Sequence, residues 1–533
     1  MTQEPTATPP PAAPQDPISA AVASGYQFEG PALELGGLML NATDLAGVPI
    51  RIPLSMLNRH GLIAGATGTG KTKTLQLVTE QLSDAGVPVF AADIKGDLSG
   101  LSAPGEEDPK VIERAKSVGE DWTARGFPVE YFALGGQGTG IPLRVTMSVF
   151  GPTLLSKVLG LNDTQESSLG LVFHYADRAG LALLDLADLR AVVKYLTSAD
   201  GKSDLADLGG LSAATAGVIL RELIAFSDQG ADAFFGEPEF LTTDLLRTTT
   251  DGKGLISLVE LPNLQDRPTL FSTFLMWLLA DLFHDLPEVG DPEKPKLVFF
   301  FDEAHLLFDN ASKAFLDSIA QTVRLIRSKG VGVVFVTQSP TDVPDRVLAQ
   351  LGSRVQHQLR AATPNDAKAL KQTVNTYPTS AYPDLGQVIL QLGIGEAIVT
   401  VMSERGAPTP VAWTRLRAPE SLMGPADPAA MEQTVKDSPL YAKYATSIDR
   451  ESAYEILAAR LEAGAAKAQA ESQADAPAHA EQHIPAPQRA PRGHAPSPPK
   501  SMVEEVVGSS MFKQVMRTAA REVVRGVFKT GRR

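Results

Sequence analysis

One octapeptide constrains this chain more than any other feature. Gly65-Ala66-Thr67-Gly68-Thr69-Gly70-Lys71-Thr72 satisfies GxxxxGK[ST] at every position. The apolar run Leu62-Ile63-Ala64 precedes it, and a helix-forming run, 73–82, follows it. A strand, a glycine loop and a helix N-terminus in that order form a cradle for phosphate. Gly65, Gly68 and Gly70 let the backbone turn tightly and aim its N–H groups inward, and the helix adds its positive dipole end. In such a loop the lysine, here Lys71, reaches the β- and γ-phosphates, and the hydroxyl of Thr72 ligates Mg²⁺. The whole loop is therefore expected to hold a nucleotide.

A second apolar run, Leu297–Phe301, ends in two acids, Asp302 and Glu303. One acid at that strand end suffices to hold Mg²⁺, and Asp302 is assigned to it. The second, Glu303, is what hydrolysis needs to orient and polarise an attacking water. The bland alternative is that one of the two caps the following helix. Asp302-Glu303-Ala304-His305 also spells the DEAH box of a large helicase class, but that class's Ser-Ala-Thr motif and late glutamine–arginine motif are missing. An Asn-Lys-x-Asp guanine reader and a Leu-Ser-Gly-Gly-Gln signature are missing too. The run Val333–Thr337 ends at Gln338, an amide placed to report which nucleotide state is present; a loop cap is its alternative role. On the expected helix 312–329, Phe315, Ile319, Val323 and Ile326 make the apolar stripe. Arg324 and Arg327 fall outside it, free for a neighbouring subunit or for solvent. Arg354 and Arg360 are second-line candidates for the same part.

Apolar runs at 61–64, 87–93, 255–261, 297–302, 331–337 and 397–402 are mostly uninterrupted, as in strands covered on both faces. Helical patterns separate them, so the fold class is α/β with a mainly parallel sheet. The 533 residues contain no cysteine, which excludes a disulfide scaffold, thiolate metal sites and a cysteine nucleophile. The formal net charge of −14 excludes a uniformly basic polyanion binder. A local basic pore stays compatible with it. The acidic, proline-rich start has no basic or apolar leader region, and the most apolar stretch, 270–283, is short and interrupted by Asp281. The expected compartment is the cytoplasm, with no membrane span.

Segment by segment, residues 1–17 read as a disordered tail with six prolines. Residues 18–149 form the N-terminal part of the core with the phosphate loop. Residues 150–245 are a Leu/Ala-rich helical insertion between the second and third strands. Residues 246–420 complete the core, 421–463 extend it with helix, and 464–500 read as a disordered linker. Residues 501–533 read as a basic amphipathic helix, with Lys513, Arg517, Arg521, Arg525 and Lys529 opposite an apolar face.

Several of these motifs occur together in one order: Asn58-Arg59-His60 before the phosphate loop, Asp93-Ile94-Lys95-Gly96-Asp97-Leu98, Gly151-Pro152-Thr153-Leu154-Leu155, Leu161-Asn162-Asp163-Thr164-Gln165, Phe301-Asp302-Glu303-Ala304-His305 and Thr337-Gln338-Ser339-Pro340. The set resembles the HerA-like ATPases of the HerA/FtsK group of DNA pumps, and more narrowly a bacterial branch of HerA-like helicases. The resemblance covers roughly 47–417 and the last thirty residues. It implies a RecA-like ATPase core, ATP and Mg²⁺ as cofactors, and a hexameric ring acting non-specifically on double-stranded DNA. By motif, Lys71 and Thr72 bind phosphate and Mg²⁺, Asp302 supports the metal, Glu303 is the catalytic base and Gln338 the sensor. Arg327 would be the finger reaching the neighbouring subunit, and Asp93 matches the family's acid at the nucleotide site. Archaeal members carry a β-barrel domain ahead of the phosphate loop that helps dock a partner nuclease. About sixty residues precede the loop here, which argues against such a partner. The residues themselves speak for hydrolysis more directly than for the polymer, so an ATP-driven protein remodeller or a regulatory P-loop ATPase stands as the alternative.

Overall fold

The computed structural model describes residues 17–42, 45–205, 209–261, 268–308 and 313–474. Residues 1–16 of the tail expected over 1–17 and the basic helix expected over 501–533 lie outside them, and Pro17 instead begins the helix Pro17–Gly25. The chain divides into two units, Met1–Ala466 and Lys467–Arg533, and the sheet and all site residues below belong to the first.

Among the described residues twelve strands form one sheet: β1 (Ala32–Met39), β2 (Leu45–Pro53), β3 (Gly61–Ala64), β4 (Val89–Asp93), β5 (Val129–Leu134), β6 (Ile141–Leu143), β7 (Ile256–Glu260), β8 (Leu297–Phe301), β9 (Val331–Thr337), β10 (Ser353–Gln356), β11 (Glu396–Thr400) and β12 (Ala412–Leu416). The spatial order is β2-β1-β12-β11-β10-β3-β9-β8-β4-β7-β5-β6. From β10 to β6 every pairing is parallel. From β10 back to β2 every pairing is antiparallel. The parallel centre is where the sequence is most apolar: every residue of β3, β4, β7, β8 and β9 is buried. Helices cover both faces, which is why these strands do not alternate.

The structure adds strands that the apolar-run reading passed over. β1 and β2 are broken by Gly36-Gly37, Pro49 and Pro53 and carry bulges. β5 contains Glu130, whose buried carboxylate pairs with Arg247 and accepts from Ser438 Oγ at 2.7 Å. A buried ion pair looks polar in a sequence although the strand lies inside the sheet, between β7 and β6. β5 and β6 therefore stand between the second expected strand and the helices that follow. Those helices include Asp163–Arg178, Leu186–Thr197 and Ala213–Asp228. The helix Ala453–Ala474 also runs eleven residues into the stretch read as linker, because alanine, glutamate, lysine and glutamine favour helix strongly.

Parallel strands end at a common edge. The phosphate loop after β3, Asp93, Glu260, the Asp302-Glu303 pair and Gln338 all sit at the carboxyl ends of their strands. That edge is where ligands bind in open α/β sheets.

Candidate nucleotide site

The phosphate loop is held from both flanks. Gly65 N–H donates to the Thr337 carbonyl at 3.2 Å, and Ala66 N–H to that of Gln358 at 2.8 Å. Gly395 N–H donates to the Thr69 carbonyl at 3.1 Å. Within the loop Thr69 Oγ1 donates to the Ala66 carbonyl at 2.7 Å. Gly70 adopts φ 113°, a left-handed turn into the helix Lys71–Asp84. A Cβ on Gly65 would lie 2.5 Å from His357 Cβ, so the buried histidine behind the loop requires glycine there. Lys71 is 8% exposed and its Nζ lies 3.4 Å from the Ala66 carbonyl. Burial pulls its ammonium below the usual lysine range, while Glu303 and Asp302 pull it back up. Thr72 is half-buried in the first turn of the helix.

Across the edge, Asp302 is 2% exposed and its Oδ2 has no hydrogen-bond partner. Burial and the neighbouring Glu303 push its carboxyl up to about 7. An orphaned, desolvated carboxylate oxygen facing the phosphate loop fits a divalent cation, whose charge would pull it back to the ionised form. Glu303 is 5% exposed and adopts φ 46°. Such a conformation costs a non-glycine residue on the order of 1–3 kcal/mol and persists where surroundings enforce it. Here Ala304 N–H is pinned to the Val336 carbonyl at 2.9 Å. Glu303 Oε1 pairs with Lys95, and Oε2 lies 3.3 Å from His305 Nδ1. Burial alone would raise the Glu303 carboxyl; the Lys95, His305 and Lys71 charges outweigh it and hold it below its usual range.

The sequence reading placed Asp93 beside the nucleotide. In the structure its carboxylate is spent on backbone: Oδ1 accepts from Lys95 N–H at 3.2 Å and Gly96 N–H at 2.7 Å, and Oδ2 from Leu98 N–H at 2.8 Å. Asp93 shapes the loop that carries Lys95, a residue the motif reading quoted without a role. The available signal was a cation two residues beyond a strand-end acid. Gln338 is exposed immediately after the residue that holds Gly65. Arg360 Nη2 lies 3.4 Å from the Thr67 carbonyl, which puts it beside its own chain's phosphate loop. Arg354 is committed elsewhere: Nη1 donates to the Thr376 carbonyl at 2.7 Å, with the guanidinium over the Tyr377 ring. Arg324 and Arg327 are exposed, and Arg327 precedes β9, at the edge opposite the phosphate loop.

A parallel core with this loop and acid pair defines a RecA-like P-loop ATPase fold. The chain belongs to the helicase HerA-like C-terminal family, whose model matches residues 39–533. It is 20% identical over 359 residues to the DNA double-strand break repair helicase HerA of Sulfolobus acidocaldarius, covering 66% of this chain and 64% of that protein. The match thus spans less than two thirds of the relative's length. Among solved structures it is similar to the plasmid coupling protein TrwB in complex with ADP and Mg²⁺, with a TM-score of 0.50, 18% identity, and coverage of 75% of this chain and 98% of that one. Among the described residues no helix is long and apolar enough to cross a membrane.

Proposed function

We propose that this protein is a Mg²⁺-dependent ATP hydrolase that assembles as a ring, with six subunits as the family resemblance implies, and moves double-stranded DNA through its pore. The observation that carries the reading is the meeting of a complete phosphate loop with the buried Asp302 and Glu303 at one sheet edge. Lys71 and the loop N–H groups bind the phosphates, Asp302 and Thr72 hold the cation, and Glu303 takes the proton of the attacking water. The bound cation supplies charge neutralisation on the phosphate oxygens. Gln338 orients the water and Arg327 serves the neighbouring site. Family membership and the archaeal relative's name support DNA as the polymer, and TrwB's bound ADP and Mg²⁺ support the ligand.

The test has two arms. Glu303→Gln keeps Mg·ATP binding and loses turnover, by about 10²–10⁴-fold for a lost general base; Lys71→Ala weakens binding itself. Duplex DNA raises the ATPase rate of the assembled protein, and its affinity falls steeply with salt because phosphate contacts release counterions. Stimulation by unfolded polypeptide with no DNA binding at low salt would transfer the protein to the remodelling class.

A further inference from the structure

Lys95 and Glu303 come from neighbouring strands. β4 and β8 pair in parallel, with Ala92 opposite Phe301. Lys95 follows the first by three residues, and Glu303 follows the second by two. The three backbone bonds to Asp93 fix where the Lys95 side chain starts. Its ammonium, on a side chain 43% exposed, reaches in to a carboxylate that is 7% exposed. Glu303 then has a cation on Oε1, while Oε2, 3.3 Å from His305 Nδ1, accepts no hydrogen bond. A carboxylate held through one oxygen by an ammonium cannot turn to meet a water molecule without breaking that pair.

We propose that Lys95 is a positioning residue that restrains Glu303 between turnovers, and that its withdrawal toward the bound nucleotide releases the base. The proposal rests on the reading of Glu303 as the base. The Lys95 ammonium disfavours the charge on Lys71, and Glu303 attracts both. A terminal phosphate on Lys71 therefore adds an anion near both ammonium groups, and Lys95 exchanges Glu303 for it. A nucleotide shifts such an equilibrium only through its different interaction with the two positions, and the phosphate charge provides that difference. The charges of Asp302 and Asp97 also favour the Lys95 ammonium and would hold it in the site once it leaves Glu303.

Lys95→Met retains the stem and removes the charge. The expected result is a DNA-free kcat raised about three-fold or more, with the KM for ATP unchanged, because the base is freed and binding is not touched. Lys95→Arg restores the cation and brings the rate back toward that of the unmodified protein. An independent readout needs no turnover. In the nucleotide-free protein, a water-soluble amine-acylating reagent followed by mass spectrometry labels Lys95 slowly, and Glu303→Gln makes that labelling faster. A fall in kcat on Lys95→Met, an unchanged kcat, or equal labelling with and without Glu303 overturns the restraint. Loss of the Lys95 effects in a protein that still requires Glu303 sinks the restraint alone. Full turnover by Glu303→Gln sinks the base assignment and the restraint with it.

Discussion

Glu260 ends β7 in register with Asp93, 6% exposed and with Oε1 lacking a hydrogen-bond partner. Burial, then Asp93 and Asp97, push its carboxyl from 4.5 up to about 8. The folded state therefore keeps a proton that the unfolded chain gives up above about pH 4.5. Between those values the native state binds more protons than the unfolded one, so stability falls as pH rises; below the unfolded value the cost vanishes, and above the folded value it is complete. Glu80, raised to about 7 by burial against the bonds from Ser421 and Glu420, acts in the same direction over a narrower window. The melting temperature of the nucleotide-free protein should drop between pH 5.5 and 8.5. Glu260→Gln, an isostere that never ionises, should flatten much of that drop. Equal pH slopes for the two proteins would show that Glu260 ionises freely.

The segment 419–426 works as an element although it is neither helix nor strand. It crosses the phosphate-loop helix: Lys73 Nζ donates to the Met423 carbonyl at 2.8 Å, Gln76 Nε2 to that of Leu422 at 2.7 Å, and Glu80 accepts from Glu420 and Ser421 N–H at 2.9 and 3.1 Å. Its other side lies on the turn after the Lys95 loop, where Ala426 N–H donates to Ser99 Oγ at 3.0 Å. A Cβ on Gly100 would meet the Gly424 carbonyl oxygen at 2.1 Å and that of Leu422 at 2.4 Å; one on Gly424 would meet nothing within 4 Å. Gly100→Ala should therefore cost about 1–3 kcal/mol, the usual cost of overpacking, and speed proteolytic cleavage near 420. Gly424→Ala should change neither. Denaturant midpoints and a timed digestion check both, and equal behaviour of the two variants would remove the strap. This segment also marks the limit of what the sequence discloses. The phosphate loop and the β3, β4, β7, β8 and β9 runs were legible because glycine spacing and unbroken apolar residues are local signals. The strap was not, because its bonds join residues more than three hundred positions apart. Lys95 was illegible for the same reason: its partner is placed by strand order, which no local pattern encodes. The backbone bonds of Asp93 were illegible too, because a strand-end acid looks the same whether it faces a ligand or ties its own backbone.

At the scale of the whole molecule the geometry of β9 decides where Arg327 can act. Thr337, at one end, holds Gly65 of the phosphate loop; Val331, at the other, is four residues past Arg327. Seven residues of strand span about 23 Å, beyond the reach of an arginine side chain into its own chain's site. Arg327 is near buried His60, whose ring burial and this guanidinium hold down to about 4, so it marks the edge away from the nucleotide. A catalytic Arg327 must therefore serve another subunit, and its activity becomes a test of assembly as well as chemistry. Arg327→Ala should bind Mg·ATP and be nearly inactive, since a lost arginine finger costs on the order of 10³–10⁵ in rate. Lys71→Ala should also be inactive, for want of a nucleotide. Mixed before assembly, the two should recover partial hydrolysis, because some interfaces then pair an intact phosphate loop with an intact Arg327. The recovered rate should peak at intermediate mixing ratios and vanish at both ends. Tagged subunits establish that mixed assemblies exist. Mixed assemblies with no recovery would leave Arg327 a structural residue beside His60, and the exposed Arg324 would become the residue to test across the boundary.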